Sequence, residues 1–351
     1  MIKKIGRRWR GWSRWRRTGV SGLLALALLL LPAAGAAAAL RWQYAGDPSD
    51  QARTRGRDAL WLGHAWVDGR KGEADVAALT RLLAGTGMRD LYVHTGPLEH
   101  DGSLRADRYP RARQFLAEVH RELPGLRVQS WLGDVVRPEK DGLELTDPAV
   151  RDRITAASGQ VLDLDFDGVH YDLEPIRSGS AGFLALLDQA HALTAARGVP
   201  LSVATPQIDP LPGLHALSTT VFDHGKWWSQ AYFAEVARRV EQVAVMSYDT
   251  GMPVQSLYGG YVAQQTTLAL EVTPSQVDLL MGLPAYQDDT FGHRGSAETV
   301  ATADPGRPAL ARPDGAGTAG LRPGAVRRLH RHLGGLGRVP GRLELRAGRL
   351  R

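Results

Sequence analysis

Short apolar runs alternate along this chain with segments of helical periodicity, and this alternation restricts the fold more than any other feature. Such an alternation predicts parallel strands joined by right-handed helical crossovers. The predicted strands are 60–62, 91–95, 128–132, 168–173, 201–205, 243–248 and 277–283. The predicted helices are 73–83, 112–123, 148–157, 182–196, 228–240, 261–270 and one that begins near 296.

Seven or eight strand–helix units in about 250 residues fit a closed (β/α)8 TIM barrel of the α/β class better than an open sheet. No Gly-x-Gly-x-x-Gly or P-loop sequence follows a predicted strand, which argues against a doubly wound nucleotide-binding fold. The eighth strand is missing or garbled. Segment 303–351 contains eleven Arg and no aromatic residue, and it is either a disordered basic tail or a frameshifted end.

The N-terminus resembles an export signal. Residues 1–19 contain eight Lys and Arg and no acid, and an uncharged Leu- and Ala-rich run follows from 18 to 40. Small residues at 34–39 offer a cleavage site, but the run is long enough to span a bilayer if it is retained. We therefore expect an extracytoplasmic protein, secreted or anchored to the membrane through 18–40. The expected parts are a basic N-terminus with signal peptide or anchor (1–42), a linker (43–57), the barrel (58–302) and the tail (303–351).

The charge distribution argues against a nucleic-acid partner. The net charge is +6, but 1–19 and 303–351 carry +8 each, which leaves the body 20–302 at −10. A phosphate-binding surface would have to lie on that acidic body. The chain has no cysteine, so disulfides and thiolate metal sites are excluded. The oligomeric state stays open.

The fourth predicted strand carries His170, Asp172 and Glu174, which share one face because alternate side chains of a strand point the same way. In a barrel that face points inward, and Glu174 lies at the C-terminal mouth, where barrel enzymes place their chemistry. The charge of Asp172 would disfavour ionisation of Glu174 and keep it protonated as a general acid. The plainer alternative is a pair of solvated carboxylates.

Three segments together resemble one enzyme family. D-G-x-x-x-D-x-E from Asp167 to Glu174 resembles the D-G-x-D-x-D-x-E signature of family 18 glycoside hydrolases, the chitinase-like barrels. VAVMSYD at 243–249 and LLMGLPAY at 279–286 resemble the M-x-Y-D and G-x-P-x-Y motifs of the sixth and seventh strands in that family. The matches occur in order and cover about 59–300.

The resemblance implies hydrolysis, with retention, of a β-linked N-acetylglucosamine-containing polysaccharide or oligosaccharide. The acetamido oxygen of the substrate replaces a protein nucleophile, and no cofactor or metal is needed. Glu174 would protonate the leaving oxygen and then activate water, while Asp172 would orient and stabilise the acetamido group. Tyr248 would hydrogen-bond its carbonyl. Further substrate contacts would come from Met246, Asp249 and Tyr286.

One position departs from the family, which usually has Asp where this chain has His170. A neutral imidazole could hydrogen-bond Asp172, and a protonated one would keep Asp172 ionised. A packed histidine with no titration role is the third possibility. His170 is assigned to the substrate-binding residues.

Aromatic rings at strand ends are the usual platforms for sugars, although most indoles simply pack. Trp131 is assigned to the substrate site, and the wider set of candidates is Trp61, Trp66, Trp131, Trp227 and Trp228. A non-catalytic carbohydrate-binding barrel at the cell envelope is the alternative function, and retention of Glu174 argues against it. A scaffold with no glycan role is a third reading.

Overall fold

The computed structural model describes residues 14–52, 56–138, 140–221 and 225–303. Seven strands form one parallel sheet in the order β1-β2-β3-β4-β5-β8-β9. They are β1 (Asp58–Leu62), β2 (Met88–His94), β3 (Arg127–Val135), β4 (Gly168–Glu174), β5 (Leu201–Thr205), β8 (Gln242–Met246) and β9 (Asp278–Gly282). Two short strands, β6 (Gln207–Ile208) and β7 (Trp227–Trp228), pair with each other outside this sheet.

Each strand of the main sheet is followed by at least one helix before the next strand begins. The helices after β1 to β4 are α2 (Glu73–Leu83), α3 (Ala112–Glu122), α4 (Pro148–Leu162) and α5 (Ala181–Arg197). Two helices, α6 (Leu214–Val221) and α7 (Gln230–Ala237), follow β5. Helix α8 (Gln255–Leu270) follows β8, and α9 (Val300–Ala303) follows β9. The strand order and the crossover helices confirm the barrel fold and its seven strand–helix units.

The boundaries differ from the sequence prediction where local contacts decide them. The helix expected at 228–240 begins only at Gln230, because Trp228 belongs to β7 and the Ser229 hydroxyl caps the helix by accepting from the backbone N–H of Tyr232. The helix expected at 261–270 already begins at Gln255. The missing or garbled eighth strand, and with it the possible frameshift in the tail, concerns 304–351, which lies outside the described residues.

The first and last described strands of the sheet come together. Arg57, directly before β1, donates through Nη1 to Oδ1 of Asp278 at the start of β9, at 2.8 Å. At the other end, a Cβ on Gly282 would lie 3.4 Å from Cη2 of Trp61 in β1. The seven strands therefore curl into a nearly closed barrel.

A buried polar network fills the bottom of the barrel. Asp90 of β2 is fully buried and accepts from Nε and Nη2 of Arg127, at 2.7 and 2.8 Å. Gln129 of β3 donates to Asp90 at 2.9 Å and to Gln242 of β8 at 3.0 Å, and the Tyr92 hydroxyl donates to Gln242 at 2.6 Å. These contacts join non-adjacent strands across the interior, so they hold the barrel cross-section.

Helix α1 (Arg14–Ala45) lies before the barrel and packs on α8. The approach is close: a Cβ on Gly260 would lie 1.9 Å from the carbonyl oxygen of Leu40, and one on Gly259 2.4 Å from Tyr44. The helix extends into the expected linker, which also contains a short 3₁₀ turn, Asp50–Ala52. In the described part of the chain, no helix combines the length and the apolar character needed to cross a membrane.

Replacing Asp90 with Ala should destabilise the barrel by about 3 kcal/mol, because Arg127 and the buried amide of Gln242, which donates to Asp90 at 3.2 Å, lose their acceptor. Chemical denaturation would measure the loss. Asp163→Ala is the matched control, since Asp163 pairs with Arg197 at 2.8 Å on the surface. It should cost less than about 1 kcal/mol. Equal losses in the two variants would contradict a structural role for the network.

Candidate active site

Strand β4 directs His170, Asp172 and Glu174 toward the barrel interior, and the packing of its outward-facing side chains holds the strand in place. Val169, Tyr171 and Leu173 are buried between sheet and helices, and the Tyr171 hydroxyl is 2.7 Å from Oγ of Ser158 in α4. On the inward face, burial decreases toward the mouth, from a fully buried His170 to an exposed Glu174. The structure therefore places Glu174 at the C-terminal mouth of the barrel.

Asp172 and Glu174 form an electrostatically coupled pair at this mouth. Burial raises the pKa of Asp172. The pKa of Glu174 is raised well above its usual range, first because surrounding protein limits its hydration and then because Asp172 and Asp249 are negatively charged. The cleft-facing side chain of Glu174 therefore keeps its proton at a pH where an ordinary glutamate has lost it.

Two buried polar atoms beside Glu174 have no hydrogen-bond partner among the described residues: Oδ1 of Asp172 and Nε1 of Trp131. Trp131 lies on β3, whose Gly133 is paired in register with Asp172. A Cβ on Gly133 would lie 2.9 Å from the Asp172 carbonyl oxygen and 3.4 Å from Nε1 of Trp131, so glycine permits the close fit. Buried polar atoms are rarely left unpaired, and an acceptor beside a donor suits an amide of a bound ligand.

His170 is locked in the layer beneath this pair. Trp61 donates from Nε1 to Nε2 of His170 at 3.1 Å, and Nδ1 of His170 lies 2.7 Å from Oγ of Ser202. Because an indole can only donate, Nε2 is unprotonated and the ring is neutral, with its proton on Nδ1. The ring stacks on Tyr92 at 3.8 Å, and burial lowers the pKa of His170 to about 3.

Both ring nitrogens of His170 are thus engaged away from Asp172. Of the three possibilities for this position, the geometry favours the packed histidine that does not titrate. This arrangement leaves neither ring nitrogen to hydrogen-bond Asp172, and it does not accommodate a charged imidazolium. His170 lies under the site rather than in contact with the open cleft.

The end of β8 brings Met246, Tyr248 and Asp249 to the same mouth. Burial raises the pKa of Tyr248 well above its usual range, and the charges of Asp172 and Glu174 add to the shift, so its phenol lies near both carboxylates. The backbone here is held by Gln207, whose Nε2 donates to the carbonyl oxygens of Met246 and Tyr248, at 3.0 Å each.

The segment after β9 closes this side of the cleft. The Tyr286 hydroxyl donates to Oδ1 of Asp249 at 2.6 Å, and its ring meets that of Tyr248 edge-on, with centroids 6.4 Å apart. The three motifs of the sequence therefore converge on one site. Met246 is almost fully buried at the floor, and Asp249 and Tyr286 are half-buried at the rim.

The candidate tryptophans separate into packing and cleft residues. Trp66 packs against Phe115, and Trp228 is buried with its indole N–H on the carbonyl oxygen of Ile176 at 2.7 Å. Trp61 supports His170, and Trp227 donates to the Tyr261 hydroxyl at 2.8 Å. Trp131 is the one that borders the Asp172–Glu174 pair.

Sequence reasoning missed three ionisable residues beside the rim. Lys226 lies close enough to Asp249 and Glu298 for their charges to affect it; burial lowers the pKa of Lys226 and those charges oppose the shift. His293 lies 3.2 Å from Asp249 and 3.4 Å from Glu298. All three stand in irregular segments, where no periodic pattern marks a residue as inward-facing.

No protein-family model matches the sequence, and no curated protein does. Among solved structures, the chain is similar to a Group IV chitinase of Ostrinia furnacalis, with 18% identity over 64% of this chain and 65% of that one and a TM-score of 0.47. A chitinase of Chromobacterium violaceum shows 15% identity over 65% and 68%, with a TM-score of 0.47. A spore cortex-lytic enzyme of Bacillus megaterium shows 18% identity over 67% and 51%, with a TM-score of 0.46.

This chain thus spans less than two thirds of the Ostrinia chitinase.

The raised pKa of Glu174 has a consequence for folding. Glu174 holds its proton more tightly in the folded chain than in the unfolded chain. The folded chain therefore loses stability as pH rises from 4.5, the ordinary pKa of a glutamate, to about 8, the pKa of Glu174 in the folded chain. Glu174→Gln removes this loss, so its melting temperature should increasingly exceed that of the parent over that pH range. Glu122→Gln, on the surface of α3, is the control. A difference for Glu174→Gln that stays constant with pH would contradict the raised pKa.

Proposed function

We propose that the chain is a retaining glycosidase that hydrolyses β-linked N-acetylglucosamine-containing glycans, chitin-like or peptidoglycan, with Glu174 as general acid and base. The observation that carries the proposal is the raised pKa of Glu174 at the barrel mouth, two residues from a second carboxylate. A carboxyl that stays protonated near neutral pH can donate its proton to a leaving oxygen.

The substrate-assisted route needs no protein nucleophile. The protonated Glu174 gives its proton to the glycosidic oxygen while the acetamido carbonyl oxygen of the substrate attacks C1 from the other face. The C1–O bond breaks, and a cyclic oxazolinium forms. The Glu174 carboxylate then takes a proton from water as this water attacks C1, which reopens the ring and regenerates the acid. Two inversions give net retention.

Asp172 and Tyr248 fit the two ends of the acetamido group. The unpaired Oδ1 of Asp172 can accept the amide N–H, and the carboxylate charge would stabilise the developing oxazolinium. The phenol of Tyr248 remains protonated at all relevant pH values, because its pKa is raised, and it can donate to the acetamido oxygen. Trp131 offers an indole N–H and a ring face beside them.

Replacing Glu174 with Gln should lower kcat on chitooligosaccharides or peptidoglycan at least about 100-fold, because proton transfer is lost. Asp165→Asn is the matched control: this acid precedes the same strand but its side chain is 85% exposed on the surface, so activity should persist. NMR of the first product should show the β anomer. Reducing-end assays would follow turnover.

Three outcomes would contradict the proposal. Binding of these glycans without cleavage by the parent chain would indicate the carbohydrate-binding barrel instead. Neither binding nor cleavage would indicate a scaffold. Cleavage that survives Glu174→Gln would remove the assigned acid.

We also propose that the protein works outside the cytoplasm, secreted or held at the membrane through 18–40. The support is the order of eight basic residues followed by the apolar run. Protease added to intact spheroplasts of cells that express an anchored chain should digest the barrel, and a secreted chain should appear in the medium. A chain that resists protease until the cells are lysed would contradict this location.

A further inference from the structure

Three ligand-type side chains meet beside the candidate active site, behind its rim. Asp249 follows β8, and His293 and Glu298 belong to the segment between β9 and α9. One ligand atom from each lies within 4.8 Å of the others. His293 and Glu298 are fully buried, whereas the Asp249 side chain is 42% exposed toward the cleft. The cluster therefore has a closed side and an open side.

The imidazole of His293 is aimed between two carboxylates without a proper hydrogen bond to either. Nδ1 lies 3.2 Å from Oδ1 of Asp249 and 3.4 Å from Oε2 of Glu298. Within the described residues, neither ring nitrogen has a hydrogen-bond partner of acceptable geometry, and the same holds for the buried hydroxyl of Tyr258. Buried unpaired polar atoms are costly, and such atoms beside two carboxylates suit the binding of a cation and its water.

We propose that Asp249, His293 and Glu298 bind a divalent transition-metal ion, with Zn²⁺ as the best fit. Ligand atoms at 2.0–2.1 Å from a tetrahedral zinc ion lie about 3.3 Å apart, which matches the two distances from Nδ1. An imidazole with two carboxylates suits zinc and its transition-metal neighbours, whereas Ca²⁺ and Mg²⁺ prefer oxygen ligands alone. The fourth position would face the cleft.

The surrounding contacts orient the ligands as second-shell groups do in metal sites. Backbone N–H groups of Thr250 and Gly251 donate to the Glu298 carboxylate at 3.1 and 2.9 Å. The Tyr286 hydroxyl donates to Asp249 at 2.6 Å. Asp249 itself has a φ of 54°, uncommon for a residue other than glycine, so the turn holds this carboxylate against a local backbone preference.

A protonated His293 is the competing explanation, because an imidazolium could neutralise the two carboxylates in place of a metal ion. Lys226 is a further cation that feels both charges. If a protonated His293 neutralises the two carboxylates, the chain should bind no stoichiometric metal ion. A direct measurement of metal binding therefore distinguishes the two explanations. The metal site goes beyond the proposed glycosidase function: it would tie the turn after β8 to the segment after β9 whether or not the cleft cleaves a glycan.

The test uses the untagged full chain, stripped with EDTA and freed of chelator. Calorimetric titration with Zn²⁺ should show one site per chain with micromolar or tighter affinity, and saturation should raise the melting temperature. Co²⁺ should give the visible absorption bands of a four-coordinate site. His293→Ala should weaken Zn²⁺ binding at least about 100-fold. His100→Ala is the matched control, since His100 pairs with the single carboxylate of Asp134 at 3.0 Å elsewhere.

No stoichiometric Zn²⁺ on the parent chain, or equal binding by parent and His293→Ala, would overturn the metal site. If His293→Ala does not fold, Asp249→Asn at the open side of the cluster replaces it and should also lose the ion. Metal content and glycan cleavage are separate readouts. Zn²⁺ binding without glycan cleavage would support the metal site and contradict the proposed function. Glycan cleavage without Zn²⁺ binding would support the proposed function and contradict the metal site.

Discussion

The burial of two neighbouring carboxylates on one strand is the constraint on which the candidate site depends. The pleat of β4 places Asp172 and Glu174 on the same inward face, two residues apart. Burial raises the pKa of both groups, and the charge of Asp172 adds to the shift of Glu174, which therefore keeps its proton most firmly. The different positions of Glu174 and Asp172 along one strand thus suit them to different roles, Glu174 as the acid and Asp172 as the orienting carboxylate.

The layer beneath the pair explains how a histidine is accommodated where the family signature has an aspartate. His170 is sandwiched by Tyr92, Trp61 and Ser202, and its hydrogen bonds fix it as a neutral ring. A second carboxylate at this depth would have no cation to pair with, because Trp61 and Ser202 offer only neutral contacts. Asp172 therefore has a neutral floor, and its raised pKa reflects burial rather than a proton shared with a deeper acid.

The sequence was sufficient for the parts of the fold that repeat and for the residues that lie on strands. The alternation of apolar runs with helical segments predicts all seven strand–helix units, and the period of two places Asp172 and Glu174 inward. It cannot predict contacts that form only when distant strands meet, such as Trp61 with His170, 109 positions apart. For the same reason, composition could not separate the buried Trp228 from Trp131 at the mouth.

The residues missed by sequence reasoning share a physical cause. His293 and Glu298 stand in a segment without helix or strand, where side-chain direction has no period and burial is set by the turn after β8. Glu298 is fully buried, and its carboxylate accepts two N–H groups of that turn. A pattern in one segment cannot reveal a partner in another, so only the assembled barrel shows them.

Gly282, the glycine of the seventh-strand motif, shows how the mouth is kept narrow. A Cβ there would lie 3.0 Å from the carbonyl oxygen of Val245, 3.3 Å from the Tyr248 ring and 3.4 Å from Trp61. A Cβ at this position would require β9, or the backbone and rings that it meets, to shift by a few tenths of an ångström. The same displacement would move Tyr248 from the carboxylates and loosen the contact that Trp61 makes with His170. The glycine at this position therefore permits the close approach of β9 to β8, Tyr248 and Trp61.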